Sequence, residues 1–159
     1  MDSTEKPTRW SLTDLLAEPI EQMLAETYGK LEQAITGLEA LRGLLGVEMS
    51  ASDFQKLLAG VESVNLLTSR LEAYTDLWLT EDTQNAAALN LRDQITEVIT
   101  DANNRMLFFE IWFKDLPDDV ANRLIAHGGG LRYFLEAMRQ LKPFTLSEPE
   151  ERMRKRASL

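Results

Sequence analysis

Cysteine is absent from this sequence of 159 residues, and histidine occurs once, at position 127. Without cysteine the chain has no disulfide, no thiolate metal ligand and no thiol nucleophile, which agrees with a reducing compartment. A catalytic zinc centre uses about three protein ligands, usually including two histidines. We therefore predict no catalytic, cofactor-binding or metal-binding residue in this chain, and we interpret His127 as a structural residue at a helix end.

Long apolar runs are also missing. No stretch approaches the roughly 18 to 20 apolar residues that span a bilayer, and the first ten residues lack the apolar region of a signal peptide. The sequence therefore predicts a cytoplasmic protein that has no membrane partner.

Basic residues are scarce: 17 lysines and arginines face 26 aspartates and glutamates, for a net charge of −9. Four of the cations lie within residues 152–156, so that without them residues 1–151 carry a charge of −13. Affinity for nucleic acid depends on cations that displace counterions from phosphates. We therefore expect no nucleic-acid partner, and we interpret the basic stretch as a solvated helix face rather than a phosphate-binding patch.

Apolar residues recur at helical spacing along most of the chain. A first helix over residues 19–45 is predicted by four leucines that lie seven residues apart: Leu24, Leu31, Leu38 and Leu45. Ser52 and Gln55 have the spacing of a capping box, which predicts the start of a second long helix there. A third helix is predicted to end near residue 114, and glycines 128–130 separate two shorter helices. No stretch has the alternation that is typical of a strand.

These patterns predict an all-α fold, in which an antiparallel bundle of three long helices is followed by two or three shorter helices. The chain is long enough for one domain and too short for two. We therefore describe 1–159 as a single helical domain, with a docking segment over 1–18, three long helices over 19–114 and shorter helices over 115–159. An extended coiled coil is the alternative for the leucine repeat, but the repeat breaks at Arg42.

The start of a further helix is predicted at residues 145–151, where a serine, a proline and glutamates have the spacing of a capped first turn. The sequence ends about two turns later. We expect from this that the natural polypeptide continues beyond Leu159, and a frayed terminal helix is the alternative interpretation.

Residues 107–113 are apolar at every position except Glu110. An amphipathic helix needs one apolar stripe, whereas this segment must be covered on more than one side. It is either the central part of the bundle or a helix on which Phe108 or Trp112 faces a docking surface. Together with Trp10 in the docking segment, these two residues are our candidates for contacts with a further lobe.

Four segments in order resemble the N-terminal region of oligoendopeptidase F, a zinc metallopeptidase related to thimet oligopeptidase. They are WSLTDL at 10–15, AY at 73–74, FEIWF at 109–113, and YFLE at 133–136 leading to KPFTLSEPEE at 142–151. The last segment is the most specific, although the family often has histidine where this chain has Phe144. The resemblance covers nearly the whole chain.

The resemblance implies a helical N-terminal lobe that packs against a catalytic domain of the same polypeptide and walls one side of a channel for short peptides. It also implies zinc in the parent enzyme, bound by the histidines of an HExxH motif that lies downstream of the region matched here. No position in this sequence matches that motif, so no catalytic or metal-binding residue is carried over. We therefore expect this chain alone to be no enzyme, and its parent to be a zinc metallo-oligopeptidase, a hydrolase of peptide degradation.

A free-standing helical interaction module is the alternative from a different class. Such a module binds another helix, or self-associates, through exposed apolar surface. A degenerate, non-catalytic relative of the peptidase belongs with this alternative.

Overall fold

The computed structural model describes residues 20–81 and 86–144. The docking segment with Trp10 and the predicted helix start at 145–151 lie outside the described residues. Five α-helices follow in chain order: α1 Ile20–Ala40, α2 Ala51–Glu81, α3 Ala86–Asp115, α4 Asp118–Ile125 and α5 Arg132–Gln140. Single 3-10 turns occupy Leu41–Leu44, Gly129–Leu131 and Lys142–Phe144. The described residues contain no strand, so the all-α prediction is confirmed.

Helix α1 buries the stripe that its leucine repeat predicts. Leu24, Leu31 and Leu38 are all buried, because residues seven apart return to nearly the same side of a helix. The α-helix ends five residues earlier than predicted, at Ala40, and the chain then tightens into the 3-10 turn before Leu45. Such turns are common where the last carbonyls of a helix lack partners four residues ahead.

The start of α2 corrects the predicted capping box. The hydroxyl of Ser50 accepts a hydrogen bond from the backbone amide of Asp53 at 3.1 Å and donates one to the Asp53 carboxylate at 2.9 Å. Ser52 and Gln55, which we predicted as the capping pair, lie inside the helix. Both pairs have the correct spacing, but only Ser50 precedes the first helical residue and can bind the free amides there.

The core lies between the three long helices and the short C-terminal ones. Helix α2 packs on α1 and α3, α1 also packs on α3, and α5 packs on α3 and α4. The largest fully buried side chains of the core come from all five α-helices. They include Leu38, Phe54, Phe113, Leu124 and Leu135.

Arg139 joins the end of α3 to the start of α4. Its Nη1 donates hydrogen bonds to the carbonyls of Phe113, Lys114 and Leu116 at 3.0, 2.7 and 2.9 Å, and its Nη2 is paired with the Asp118 carboxylate. The last carbonyls of a helix have no partner within it, and the guanidinium supplies hydrogen-bond donors to them. This one side chain from α5 therefore holds the turn between α3 and α4.

None of the helices in the described part of the chain is both long enough and apolar enough to cross a bilayer.

Candidate functional site

An aromatic cluster lies where α2 meets the C-terminal half of α3. The ring of Phe113 stacks on Phe54 at a centroid distance of 5.9 Å and on Phe109 at 6.0 Å. Trp112 lies at the edge of the cluster, 6.4 Å from Phe54 and 6.3 Å from Phe109. Offset and tilted aromatic pairs add to the free energy of burial. Because Leu107, Phe108 and Phe109 are consecutive and all buried, this apolar segment of α3 is covered on several sides.

Phe108 and Trp112, two of the candidates for contacts with a further lobe, are placed differently. Phe108 is buried, and the guanidinium carbon of Arg42 lies 5.3 Å from the centre of its ring, a cation–π contact. Trp112 is half-buried, and its indole Nε1 is enclosed with no hydrogen-bond partner among the described residues. Contact of either ring with a further lobe stays a prediction, and Trp10, the third candidate, lies outside the described residues.

A groove with a volume of about 470 Å³ lies between α1 and α3. We call it the α1–α3 groove; it is lined by Tyr28, Leu31, Glu32, Ile35, Gln94, Glu97, Val98 and Asp101. Sequence reasoning missed this feature, because the eight residues come from two segments about 60 residues apart and only the packing of the helices brings them together.

Arg105 of α3 binds two carboxylates of α1, one of which, Glu32, lines the α1–α3 groove. Its Nε and Nη2 donate to the two carboxylate oxygens of Glu39 at 2.8 and 2.7 Å, and its Nη1 donates to Glu32 at 2.8 Å. These hydrogen bonds hold the pKa of both carboxyl groups below their usual value. The pKa of the Tyr28 phenol is shifted in the other direction: partial burial raises it, because desolvation disfavours the charged phenolate.

His127 is exposed and lies beside the turn that follows α4. With Glu62 and Gln55 of α2 and the glycines after it, the residue lines a shallow cleft of about 200 Å³. Its amide donates to the Leu124 carbonyl at 2.9 Å, which continues the end of α4. Gly129 in this turn has a φ of +53°, a left-handed conformation that favours glycine.

Within 20–81 and 86–144, no group of three or more histidine, cysteine, aspartate or glutamate side chains is arranged to hold a metal ion. The pair Asp118 and Asp119 is exposed at the start of α4, where negative charge is favourable beside the helix dipole.

Comparison of the chain with protein-family models, with curated proteins and with solved structures finds no match.

Proposed function

We propose that this chain is the N-terminal helical lobe of a zinc metallo-oligopeptidase that hydrolyses short peptides, with the catalytic domain absent from this chain. The observation that carries the proposal is the ordered set of four segments that resemble oligoendopeptidase F, from residues 10–15 to residues 142–151. In this role the lobe helps to wall the substrate channel, and zinc belongs to the catalytic domain.

The packing of the described helices is compatible with such a lobe. We propose that α1, α2 and α3 form an antiparallel bundle, and two observations favour it. The α1–α3 groove joins earlier residues of α1 to earlier residues of α3, such as Tyr28 and Gln94, while Arg105 later in α3 reaches Glu39 later in α1. This order of contacts supports a parallel arrangement of α1 and α3, as expected for the first and third helices of an antiparallel bundle.

The experiment that tests the lobe proposal starts with the gene sequence after the codon for Leu159. We expect an in-frame continuation that encodes HExxH, and we expect the full polypeptide to cleave a quenched-fluorescent short peptide in the presence of zinc. The isolated 159-residue chain is the control and should show no cleavage. A stop codon directly after Leu159 would contradict the proposal, and so would zinc-dependent cleavage by the isolated chain.

A free-standing interaction module is the second candidate, and one observation favours it. Leu66 and Leu77 on α2 are 70% and 52% exposed, and their spacing of 11 residues places them on the same side of the helix. On α5, Tyr133 is 81% exposed. Exposed apolar residues that share a face are typical of contact surfaces.

The test for this candidate is the oligomeric state of the purified chain. Sedimentation velocity over a range of concentrations should show self-association that Leu66→Gln with Leu77→Gln removes, whereas Asn65→Gln with Glu72→Gln, an exposed pair on a different side of the same helix, leaves it unchanged. A chain that stays monomeric and that captures no helical partner would contradict the module.

A further inference from the structure

We propose that the α1–α3 groove binds a short basic peptide segment that carries an aliphatic side chain between its cations. The proposal rests on the form and charge of the groove alone. It does not depend on whether the chain belongs to a peptidase.

The floor of the groove is apolar. Leu31 and Ile35 of α1 and Val98 of α3 form it, and the half-buried ring of Tyr28 stands at one end. A volume of about 470 Å³ lies within the range of roughly 300 to 1,000 Å³ that is usual for ligand sites. Such a space accepts a few side chains of a peptide, not a whole helix packed along its length.

The rim of the groove is acidic. Glu32, Glu97 and Asp101 are exposed, and none of the eight described lining residues is a lysine or an arginine. Arg105 offsets only part of this charge, because its single positive charge is shared among three carboxylates: it donates hydrogen bonds to Glu39 and Glu32, and its Nη1 lies 3.9 Å from Asp101. The rim therefore retains negative charge that a cationic ligand would neutralise.

Glu97 and Asp101 also repel each other. They lie four residues apart on α3, where like charges on neighbouring turns of a helix are destabilising. A lysine or arginine placed between the two carboxylates would turn this repulsion into attraction. The position of the pair at the edge of an apolar floor is what favours a cation with an aliphatic neighbour over a cation alone.

Other classes of ligand fit the groove less well. An anionic ligand, such as a phosphate, would meet the three carboxylates of the rim. A bare metal ion would need several carboxylates close together, and the described residues include no group arranged in that way. Lysine and arginine side chains instead combine an apolar stem with a charged head, so that the stem can cover Val98 while the head reaches the rim.

The experiment is a fluorescence-anisotropy titration of the purified chain with a labelled hexapeptide of four lysines and two leucines, at low salt. We expect binding that Glu97→Gln with Asp101→Asn weakens by about tenfold, the loss of two exposed charge pairs. The matched control is Glu72→Gln with Asp76→Asn on α2, which removes the same charge from two exposed positions outside the groove and should leave binding unchanged. Circular dichroism checks that each variant is folded.

A second peptide, in which serines replace the two leucines, tests the apolar floor and should bind at least several-fold more weakly. Amide shifts in a heteronuclear NMR spectrum should concentrate on residues 28–35 and 94–101 when the leucine peptide is added. Equal weakening by the two double variants would overturn the proposal, because it would show a general acidic field rather than a site. Equal binding of the two peptides, no binding of either, or shifts confined to other parts of the chain would overturn it as well.

Discussion

Arg105 of α3 and Glu39 of α1 form a bidentate ion pair, with Nε to Oε1 at 2.8 Å and Nη2 to Oε2 at 2.7 Å. The planar guanidinium matches the planar carboxylate, so the pair fixes the position of one helix against the other as well as neutralising charge. Arg105 is 25% exposed, which shields the pair partly from solvent.

Substitution of Arg105 by glutamine should lower the free energy of unfolding at neutral pH by about 1 kcal/mol, because two parallel charge-assisted hydrogen bonds to Glu39 and a third to Glu32 are lost in a partly exposed place. Urea denaturation measures the change. Arg92→Gln is the control, since Arg92 is exposed and lies 3.9 Å from Asp93, and its removal should change stability by only a few tenths of a kcal/mol. Equal effects of the two substitutions would contradict the importance of the Glu39 pair.

The same pair predicts a pH dependence. The Arg105 hydrogen bonds hold the pKa of Glu39 below the ordinary value of 4.5, so the folded chain binds the proton less readily than the unfolded one. The stabilisation is therefore fully present above about pH 4.5 and is lost as the pH falls through the folded pKa. The difference in unfolding free energy between the native chain and Arg105→Gln should shrink on acidification, and a difference that stays constant down to pH 3 (roughly one unit below the ordinary value) would contradict the assignment.

Arg139→Gln should destabilise the fold by roughly 2 to 3 kcal/mol, because three carbonyls at the end of α3 lose a charged donor. Arg139→Lys should restore only part of this, since an ammonium group lacks the guanidinium fork. Thermal unfolding measures both. Arg132→Gln serves as the control: Arg132 is an exposed residue of the same helix, paired with Glu136 one turn later, and should cost no more than about 0.5 kcal/mol. A comparable loss of stability in Arg132→Gln would contradict the role of Arg139 in binding these carbonyls.

Substitution by alanine should change the stability of the chain in opposite directions at Gly60 and at Gly37. A Cβ at Gly60 would lie 2.7 Å from Cδ2 and 2.9 Å from Cγ of the buried Leu38, whereas a Cβ at Gly37 would meet nothing within 4 Å. Alanine favours a helix over glycine by up to about 1 kcal/mol, so Gly37→Ala should stabilise the chain. Gly60→Ala should destabilise it by about 1 kcal/mol, because overpacking against Leu38 exceeds that gain. Denaturation midpoints test the pair, and stabilisation by Gly60→Ala would show that α1 and α2 are less closely packed there.

Ser50→Ala and Ser52→Ala distinguish the two possible starts of α2. Loss of the Ser50 cap should cost about 1 kcal/mol, because the amide of Asp53 loses its acceptor. Ser52 lies inside the helix, where alanine is the better helix former, so Ser52→Ala should be neutral or slightly stabilising. Urea denaturation decides between them, and the reverse order of effects would restore the capping box that the sequence pattern predicted.

The sequence pattern predicted burial and helix ends correctly at several positions where the relevant neighbours lie within one or two helical turns. The leucine repeat of α1 predicted a buried stripe, and Leu24, Leu31 and Leu38 are indeed buried. The end of α4 before the glycine turn was likewise predicted. The start of α2 was misplaced by two residues, because two serines each had an acceptable partner three residues later and the pattern alone could not rank them.

The sequence by itself determined the helical class, the acidic charge and the scarcity of metal ligands, because composition and the helical period depend on neighbours along the chain. Only the tertiary structure decided that Arg105 pairs with Glu39 across 66 residues, that Phe108 is buried under this chain's own side chains, and that two acidic helix faces enclose a groove. These features depend on how helices pack across long separations in sequence, and a period of 3.6 residues carries no information about which helix lies opposite.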